Sequence, residues 1–244
     1  PEAAASVSAS ATGSSGNSGS AVATIEIPDR TNAIPRQGTS QRSRTRDTTS
    51  RKPGHVTPIP WGVYARRMRI VIVGGVAGGM SAATRLRRLD ENAEIVVLER
   101  SGYVSFANCG LPYHVGGVIE ERSALLLQTP ESLAARFRLD VRVGTEAVAV
   151  DPAAKTVTAR TLATGDEQVL AYDKLILSPG ARPVRPPIPG IERALSLRDV
   201  EDTDALVAAA AEAKTAVVIG GGFIGVELAE NLRHRGMDVT LVEA

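Results

Sequence analysis

Apolar and polar residues follow no regular pattern until residue 68, where the character of the chain changes. Residues 1–67 run through Ala, Ser, Thr, Gly and Pro and then through a stretch rich in Arg, Ser and Thr. Such a segment cannot bury enough apolar surface to offset the entropy that is lost on ordering. We therefore predict that residues 1–67 form a disordered extension and that the fold begins at Met68.

From residue 68 the pattern predicts a strand, a glycine turn, a helix and a second strand. The run MRIVIV at 68–73 is short, apolar and rich in β-branched residues, as buried strands are. A glycine cluster at 74–79 and a helical stretch from Met80 to about Asp90 come next, and EIVVLER at 94–100 is the second strand. The same order of elements recurs at 216–244, with the helical stretch at 226–237. Two strands joined by a helix within about 30 residues indicate parallel pairing with a right-handed crossover.

The chain between these two units predicts further strands and a connecting helix. Apolar and polar residues alternate in its middle part, and YDKLILSPGA at 172–181 is an apolar strand that ends in a Pro-Gly turn. The proline-rich segment 182–190 is typical of a linker, and 199–213 is predicted to be a helix. The predicted fold class is α/β, with two dinucleotide-binding, Rossmann-like units on parallel sheets. We place the first domain at 68–190 and the truncated start of the second at 191–244.

Each unit carries glycines between its first strand and its helix. A helix that follows a strand directs free N–H groups at the turn, which favours a pyrophosphate, and glycines let the backbone approach that group closely. The second motif matches the G-x-G-x-x-G fingerprint, whereas the first has Val76 at the middle position. The predicted cofactor contacts are Gly74, Gly75, Gly78 and Gly79 in the first turn and Gly220, Gly222 and Gly225 in the second. The alternative is a pair of tight turns that bind no ligand.

An acidic residue closes the second strand of each unit. Glu99 lies 20 residues after Gly79, and Glu243 lies 18 residues after Gly225. A carboxylate at this position can accept hydrogen bonds from ribose hydroxyls. Because the carboxylate of Glu243 would repel the 2′-phosphate of NADP, we favour NADH as the second cofactor and keep NADPH as the alternative.

Composition and charge narrow the function further. Residues 1–67 carry nine Lys or Arg and four Asp or Glu, whereas residues 68–244 carry 19 and 23. The predicted fold is therefore mildly acidic, and nothing in it indicates a nucleic-acid partner. No apolar run reaches the roughly 18 residues that a membrane span needs, and the N-terminal residues lack the apolar core of a secretory signal.

Since the chain has one Cys, it forms no internal disulfide and no Cys-based metal cluster. We expect a cytoplasmic protein without a metal site.

The single cysteine, Cys109, lies ten residues after Glu99 in the segment YVSFANCGLPYHVGG. One interpretation is an inert buried Cys that packs as a small apolar residue. The other is a reactive thiol, because Cys109 sits among Asn, Gly and Pro and close to an expected helix start, where the thiolate is favoured. His114 follows five residues later and is expected to be a surface or packing residue on that helix rather than a base.

Four motifs together resemble a known family. GGVAGGMSAATRLRRLD, SFANCGLPY, YDKLILSPGA and GGGFIGVELAE are similar to the corresponding motifs of the single-cysteine pyridine nucleotide-disulfide oxidoreductases. Within that family the resemblance is to coenzyme A disulfide reductase and its rhodanese-fused, persulfide-reducing relatives. It covers residues 68–244, and SFANCGLPY is its most specific part. The resemblance implies that the chain is the N-terminal part of a homodimeric enzyme and that it is inactive by itself.

The resemblance also implies the cofactors and the site residues. It implies FAD, NAD(P)H, and coenzyme A as the partner with which Cys109 cycles as a mixed disulfide. For FAD it implies the first glycine turn with Glu99, Arg100, Val148 and Ala181. For coenzyme A it implies Ser81, Arg85, Arg88, Ser105 and Asn108.

The residues alone support the coenzyme A contacts in part. Residues 81, 85 and 88 share one helix face, and two guanidinium groups on one face suit phosphates, although a solvated basic face is the alternative. Two rival functions stay open. One is an NADH oxidase or peroxidase in which Cys109 cycles as a sulfenic acid. The other is a non-catalytic, flavin-binding electron-transfer module that has no use for Cys109.

Overall fold

The computed structural model describes residues 66–243 and, in the chain that precedes them, the two-residue strand Ala23–Thr24. The predicted disorder of residues 1–67 falls almost entirely outside the described residues and stays a prediction, as do the predicted domain boundaries. Arg66 forms an ion pair with Asp173.

The described chain contains ten strands and five α-helices. The strands are β1 (Ala23–Thr24), β2 (Arg69–Val73), β3 (Glu94–Leu98), β4 (Asp140–Arg142), β5 (Thr145–Asp151), β6 (Thr156–Thr161), β7 (Glu167–Ala171), β8 (Lys174–Leu177), β9 (Thr215–Ile219) and β10 (Asp238–Val242). The helices are α1 (Ala77–Leu89), α2 (Leu111–Val115), α3 (Pro130–Phe137), α4 (Val200–Glu212) and α5 (Phe223–His234). Short 3-10 turns lie at Asn108–Gly110, Arg122–Leu125 and Ile191–Arg193.

A five-stranded sheet with the order β1-β8-β2-β3-β4 forms the centre of the first unit. Strands β8, β2, β3 and β4 are parallel, and β1 joins the edge of the sheet antiparallel to β8. Helix α1 connects β2 to β3, as the sequence predicts. A separate antiparallel sheet, β5-β6-β7, carries the alternating segment, and its register shifts between Ala147 and Ala149.

The central strands are apolar at consecutive positions because both of their faces are buried. Ile72 faces a cluster that includes Met80 and Ala83 of α1, whereas Val71 faces a cluster that includes Val157 and other residues of the antiparallel sheet. Successive residues of a strand point to opposite faces, so the continuous apolar run fills both clusters. The parallel sheet therefore lies between α1 on one face and the antiparallel sheet on the other.

The second unit repeats the strand–helix–strand order of the first. Strands β9 and β10 are parallel and are joined through α5, and α4 precedes them. Val115 of α2 packs with Leu232 and Met237 of the second unit. The helix that follows the cysteine is thus buried against the second unit.

The predicted α/β fold class is confirmed, with one difference in the helix starts. Helices α1 and α5 begin at Ala77 and Phe223, three residues earlier than their apolar patterns indicated. The turns are tight enough that Gly79 and Gly225 already lie in the first turn of each helix. Within the part of the chain that the structure describes, no helix has the length and apolar character needed to cross a membrane.

Candidate active site

The first glycine turn brings backbone atoms into contact that a side chain would prevent. Gly74 has φ of +102°, and its N–H donates to the carbonyl of Leu98 at 2.8 Å. A Cβ atom added to Gly79 would lie 1.8 Å from the carbonyl oxygen of Gly74. Only glycine at both positions lets α1 begin directly against the end of β2.

The second glycine turn has the same geometry. Gly220 has φ of +106°, and its N–H donates to the carbonyl of Val242 at 2.8 Å. A Cβ atom at Gly225 would lie 1.9 Å from the carbonyl oxygen of Gly220. The outer glycines of both motifs are therefore explained by the turn itself, whether or not a ligand binds.

The two glycine turns differ at the middle position of the motif. Gly222 is exposed, has φ of −66° and ψ of 172°, and an added Cβ atom would have no atom within 4 Å. Neither backbone conformation nor packing requires glycine there, so the space beside it is open to a ligand group. The first turn has half-buried Val76 instead, which packs in an apolar cluster with Phe106 and Leu111.

Each strand-ending acid binds the backbone of its own glycine turn. The carboxylate of buried Glu99 accepts hydrogen bonds from the N–H of Gly75 at 2.6 Å and of Ser101 at 2.8 Å. The carboxylate of Glu243 accepts a hydrogen bond from the N–H of Gly221 in the same way. A carboxylate has about four acceptor positions, so these bonds leave capacity for a ribose hydroxyl. The predicted ribose contacts stay predictions.

Cys109 lies in an exposed 3-10 turn on the loop after β3. The N–H of Ser105 donates to the carbonyl of Gly75 at 2.9 Å, and the N–H of Ala107 donates to the carbonyl of Leu125 at 2.8 Å. The loop is thus fixed to the first glycine turn four residues before the cysteine. The interpretation as a buried thiol is wrong, since Cys109 is open to solvent. The reactivity of Cys109 stays a prediction.

The residues that the resemblance implies for coenzyme A are accessible to varying degrees. Ser81, Arg85 and Arg88 are exposed on α1, Asn108 is exposed beside the cysteine, and Ser105 is half-buried with φ of +51°. The exposed face of α1 fits ligand binding and equally fits a solvated basic face.

Three further residues implied for FAD lie on different elements. Val148 is half-buried at the register shift of β5, and Ala181 is exposed just after the turn at the end of β8. Arg100 is exposed and lines a surface cavity with Arg182 and Arg198. The Nδ1 atom of half-buried His114 lies 2.6 Å from the carbonyl oxygen of Ile119, and the role of His114 as a surface or packing residue stays a prediction.

Comparison with known proteins assigns the family. The family model for pyridine nucleotide-disulphide oxidoreductases matches residues 68–244. The chain belongs to this family. It is therefore an oxidoreductase sequence, and the family implies binding of FAD and NAD(H).

Among curated relatives, coenzyme A disulfide reductase of Staphylococcus haemolyticus is 40% identical to this chain over 176 residues. That match covers 71% of this chain and 40% of the relative, so the chain spans well under half of the length of that protein.

Solved structures of similar proteins have the same fold. The reduced Bacillus anthracis protein CoADR-RHD is 56% identical with a TM-score of 0.71, over 72% of this chain and 33% of that one. An NAD-dependent persulfide reductase from A. fulgidus is 40% identical with a TM-score of 0.68, over 71% and 33%. A water-forming NADH oxidase from Lactobacillus brevis is 34% identical with a TM-score of 0.68, over 72% and 39%.

The sequence pattern did not identify one buried charged residue of this chain. Arg87 is 8% exposed, and its guanidinium donates to the carbonyls of Phe137 at 2.8 Å and Arg138 at 3.0 Å, tying α1 to α3. Burial lowers the pKa of Arg87. Its spacing from Met80 and Ala83 places it on the buried face of α1, which is the signal that could have identified it.

Proposed function

We propose that the natural full-length protein is an FAD-dependent NAD(P)H:disulfide oxidoreductase that reduces coenzyme A disulfide or coenzyme A persulfide through Cys109. The observation that carries the proposal is the hydrogen bond from Ser105 to Gly75, which fixes the loop of an exposed, lone cysteine against a dinucleotide-type glycine turn. The names of the relatives, coenzyme A disulfide reductase and persulfide reductase, support the choice of substrate.

The two glycine turns have different cofactors in this proposal. The first turn, with Glu99 and Arg100, holds FAD, and Val148 and Ala181 contact it through their backbone. The second turn, with Glu243, holds the nicotinamide cofactor, and the open space beside Gly222 fits the close approach of a pyrophosphate. When bound, FAD supplies the two-electron exchange between nicotinamide and sulfur.

Cys109 performs the sulfur chemistry. Its thiolate attacks one sulfur of a coenzyme A disulfide, so that a Cys109–S–S–CoA bond forms, the substrate S–S bond breaks and one coenzyme A thiolate leaves. Two electrons then cleave the mixed disulfide, which regenerates the Cys109 thiolate and releases the second coenzyme A as a thiolate. A lone cysteine suffices for this cycle because the substrate provides the partner sulfur.

The coenzyme A moiety binds along α1 in this proposal. Arg85 and Arg88 are exposed on the same face and suit its phosphate groups, and Ser81 lies on that face one turn earlier. Ser105 and Asn108 flank the thiol. We further propose a cytoplasmic homodimer that acts on small molecules, without a nucleic-acid or membrane partner.

A second candidate is an NADH oxidase, which the similarity to the Lactobacillus brevis enzyme favours. In that reaction two electrons from NADH reduce oxygen to peroxide, and the Cys109 thiolate then attacks a peroxide oxygen, so that the O–O bond breaks and a sulfenic acid and water form with uptake of a proton. Two further electrons from NADH, with uptake of a proton, reduce the sulfenic acid to the thiolate and a second water. The form of Cys109 in the isolated protein distinguishes the two candidates.

Mass spectrometry of the as-isolated full-length protein tests the proposal. We expect an adduct of coenzyme A size on the peptide that contains Cys109, and we expect dithiothreitol to release it. An increase of only one or two oxygen atoms would favour the oxidase. An unmodified thiol, combined with no NADH oxidation in the presence of coenzyme A disulfide, persulfide, peroxide or oxygen, would contradict both candidates.

A further inference from the structure

The second dinucleotide unit packs directly against the chain segment that carries Cys109. Val115 of α2 is fully buried and packs in one cluster with Leu232 and Met237. Val200 of α4 is also fully buried, in a cluster with Leu111 and Leu125. Segment 101–125 carries Cys109, and we call it the cysteine loop. It shares two apolar clusters with the helices of the second unit, and we call this contact region the α2 interface.

A bidentate ion pair crosses the α2 interface. The guanidinium of Arg122 donates from Nε to Oδ1 of Asp204 at 2.7 Å and from Nη2 to Oδ2 at 2.7 Å. Nη2 also donates to the hydroxyl of Tyr103 at 2.7 Å, and the guanidinium lies 4.8 Å from the centre of the Tyr103 ring. The hydrogen bond from Arg122 is the main cause that lowers the pKa of Asp204, so the pair is ionised.

Arg122 belongs to a turn that is hydrogen-bonded to the chain beside Cys109. It begins the 3-10 turn Arg122–Leu125, and the carbonyl of Leu125 accepts the hydrogen bond from Ala107, two residues before Cys109. Asp204 lies on α4, the helix before β9, and β9 ends at the second glycine turn. The ion pair therefore joins the cysteine loop on one side to the second dinucleotide unit on the other.

Two further polar contacts hold the same interface. The carboxylate of Glu201, also on α4, accepts hydrogen bonds from the N–H of Gly102 at 2.8 Å and from the hydroxyl of Ser101 at 3.0 Å. At the other end, the guanidinium of Arg235 donates to the carbonyl of Val115 at 3.0 Å. The second unit is thus attached at both ends of the cysteine-bearing segment.

The magnitude of an exposed ion pair argues against a role in stability alone. The side chains of Arg122 and Asp204 are 36% and 43% exposed, and pairs with such exposure contribute little to the free energy of unfolding. Bidentate geometry does fix orientation, because two parallel hydrogen bonds allow only one arrangement of the two planar groups. Orientation matters where hydride moves between two cofactors, since a misplacement of 1 Å can lower a rate by about a hundredfold.

We propose that Arg122 and Asp204 are positioning residues, which hold the second dinucleotide unit at the orientation that hydride delivery to the flavin requires. The proposal rests on the proposed function in one respect: it takes the two glycine turns to be the FAD and nicotinamide sites. Neither residue contacts the reacting atoms. Both act through the placement of α4 relative to the cysteine loop.

Rapid-mixing kinetics of the full-length holoenzyme tests the proposal, with the two half-reactions measured separately. In Asp204→Asn we expect the rate of flavin reduction by NADH to fall at least about tenfold. We expect dithionite-reduced Asp204→Asn enzyme to reduce coenzyme A disulfide within about twofold of the wild-type rate, and the Tm to change little. In Arg122→Lys, which keeps the charge and loses the planar fork, we expect an intermediate rate of flavin reduction.

The pair Arg160 and Glu167 supplies the matched control. Its side chains are 44% and 47% exposed, and Arg160 donates to Glu167 at 2.7 Å on the antiparallel sheet, away from the α2 interface. Glu167→Gln should leave flavin reduction by NADH unchanged. An Asp204→Asn variant that reduces flavin at the wild-type rate, or an equal loss in Glu167→Gln, would overturn the positioning role.

A double-mutant cycle tests whether Arg122 and Asp204 act as one unit. We expect Arg122→Met combined with Asp204→Asn to be no slower in flavin reduction than the slower single variant, because the two residues act as one unit. Losses that multiply would overturn the proposal. Flavin reduction by NADH needs no sulfur substrate. A wild type that reduces neither coenzyme A disulfide nor coenzyme A persulfide would therefore refute the proposed function, while the rates of flavin reduction in the Arg122 and Asp204 variants would still test the positioning role.

Discussion

Replacing Gly222 by alanine adds one methyl group at the only position of the second fingerprint where the turn itself does not require glycine. With φ of −66° and no atom within 4 Å of an added Cβ, alanine fits the protein without strain. At Gly225 the same methyl group would lie 1.9 Å from the carbonyl oxygen of Gly220, so α5 would have to move away from β9. The two substitutions thus separate ligand binding from folding.

The expected magnitudes differ clearly. At Gly222, alanine is a poorer N-cap than glycine, which lowers the free energy of unfolding by about 1 kcal/mol. Alanine also restricts the unfolded chain, which raises the free energy of unfolding by about 0.4–1 kcal/mol. The net change in the free energy of unfolding should stay within about 1 kcal/mol. At Gly225, overpacking should cost about 1–3 kcal/mol or more. Because the Gly222 methyl group occupies the space proposed for the pyrophosphate, NADH affinity should fall at least tenfold, or about 1.4 kcal/mol.

The assays are urea denaturation and NADH titration of the full-length protein. Gly222→Ala should match the wild-type unfolding midpoint closely and bind NADH weakly, whereas Gly225→Ala should unfold at distinctly lower urea concentration. Wild-type NADH affinity in Gly222→Ala would refute the dinucleotide assignment of this turn. A loss of stability equal to that of Gly225→Ala would show that the turn itself requires glycine at position 222.

Three more predictions concern cofactor choice, acid stability and substrate binding. The full-length enzyme should have a higher kcat/KM with NADH than with NADPH, and Glu243→Ala should narrow the difference; steady-state kinetics that show a preference for NADPH would contradict the role of that carboxylate. The hydrogen bond from the N–H of Arg69 lowers the pKa of Asp173, so its contribution to stability is present above the carboxyl pKa of the unfolded chain and is lost as pH falls through the folded pKa. Asp173→Asn should therefore lower the urea midpoint at pH 7 and lower it less at pH 3, and an equal deficit at both pH values would count against this. Replacing Arg85 and Arg88 by alanine should raise the KM for coenzyme A disulfide about tenfold and leave flavin reduction by NADH unchanged; an unaltered KM would identify a solvated basic face.

The local periodicity was sufficient to predict the elements of both strand–helix–strand units. Strands with four consecutive apolar residues and glycines at fixed spacing determine β2, α1 and β3 through contacts within about 30 residues. The helix starts were predicted late because apolar spacing begins only where α1 and α5 become amphipathic, whereas the turns leave Gly79 and Gly225 inside the helices.

Contacts between distant segments could not be predicted in the same way. Arg122 and Asp204 are 82 residues apart and meet only because α2 packs against α4, which no local pattern encodes. The resemblance pointed to Cys109 and its neighbours, yet the hydrogen bond from Ser105 to Gly75 depends on how the loop folds back over the turn. The sequence motifs thus identified the candidate site residues. The contacts that bring those residues together could not be predicted from the sequence.

Replacing Cys109 by serine in the full-length enzyme tests the central claim most directly. Serine is nearly isosteric at this exposed position, so the fold, the bound FAD and its reduction by NADH should survive. A hydroxyl does not exchange with a disulfide, so reduction of coenzyme A disulfide or persulfide should fall below detection. Anaerobic mixing with NADH followed by coenzyme A disulfide, monitored by flavin absorbance, measures both steps in one sample. The account predicts flavin that is reduced at the wild-type rate and is then not reoxidised, whereas reoxidation at the wild-type rate would contradict it.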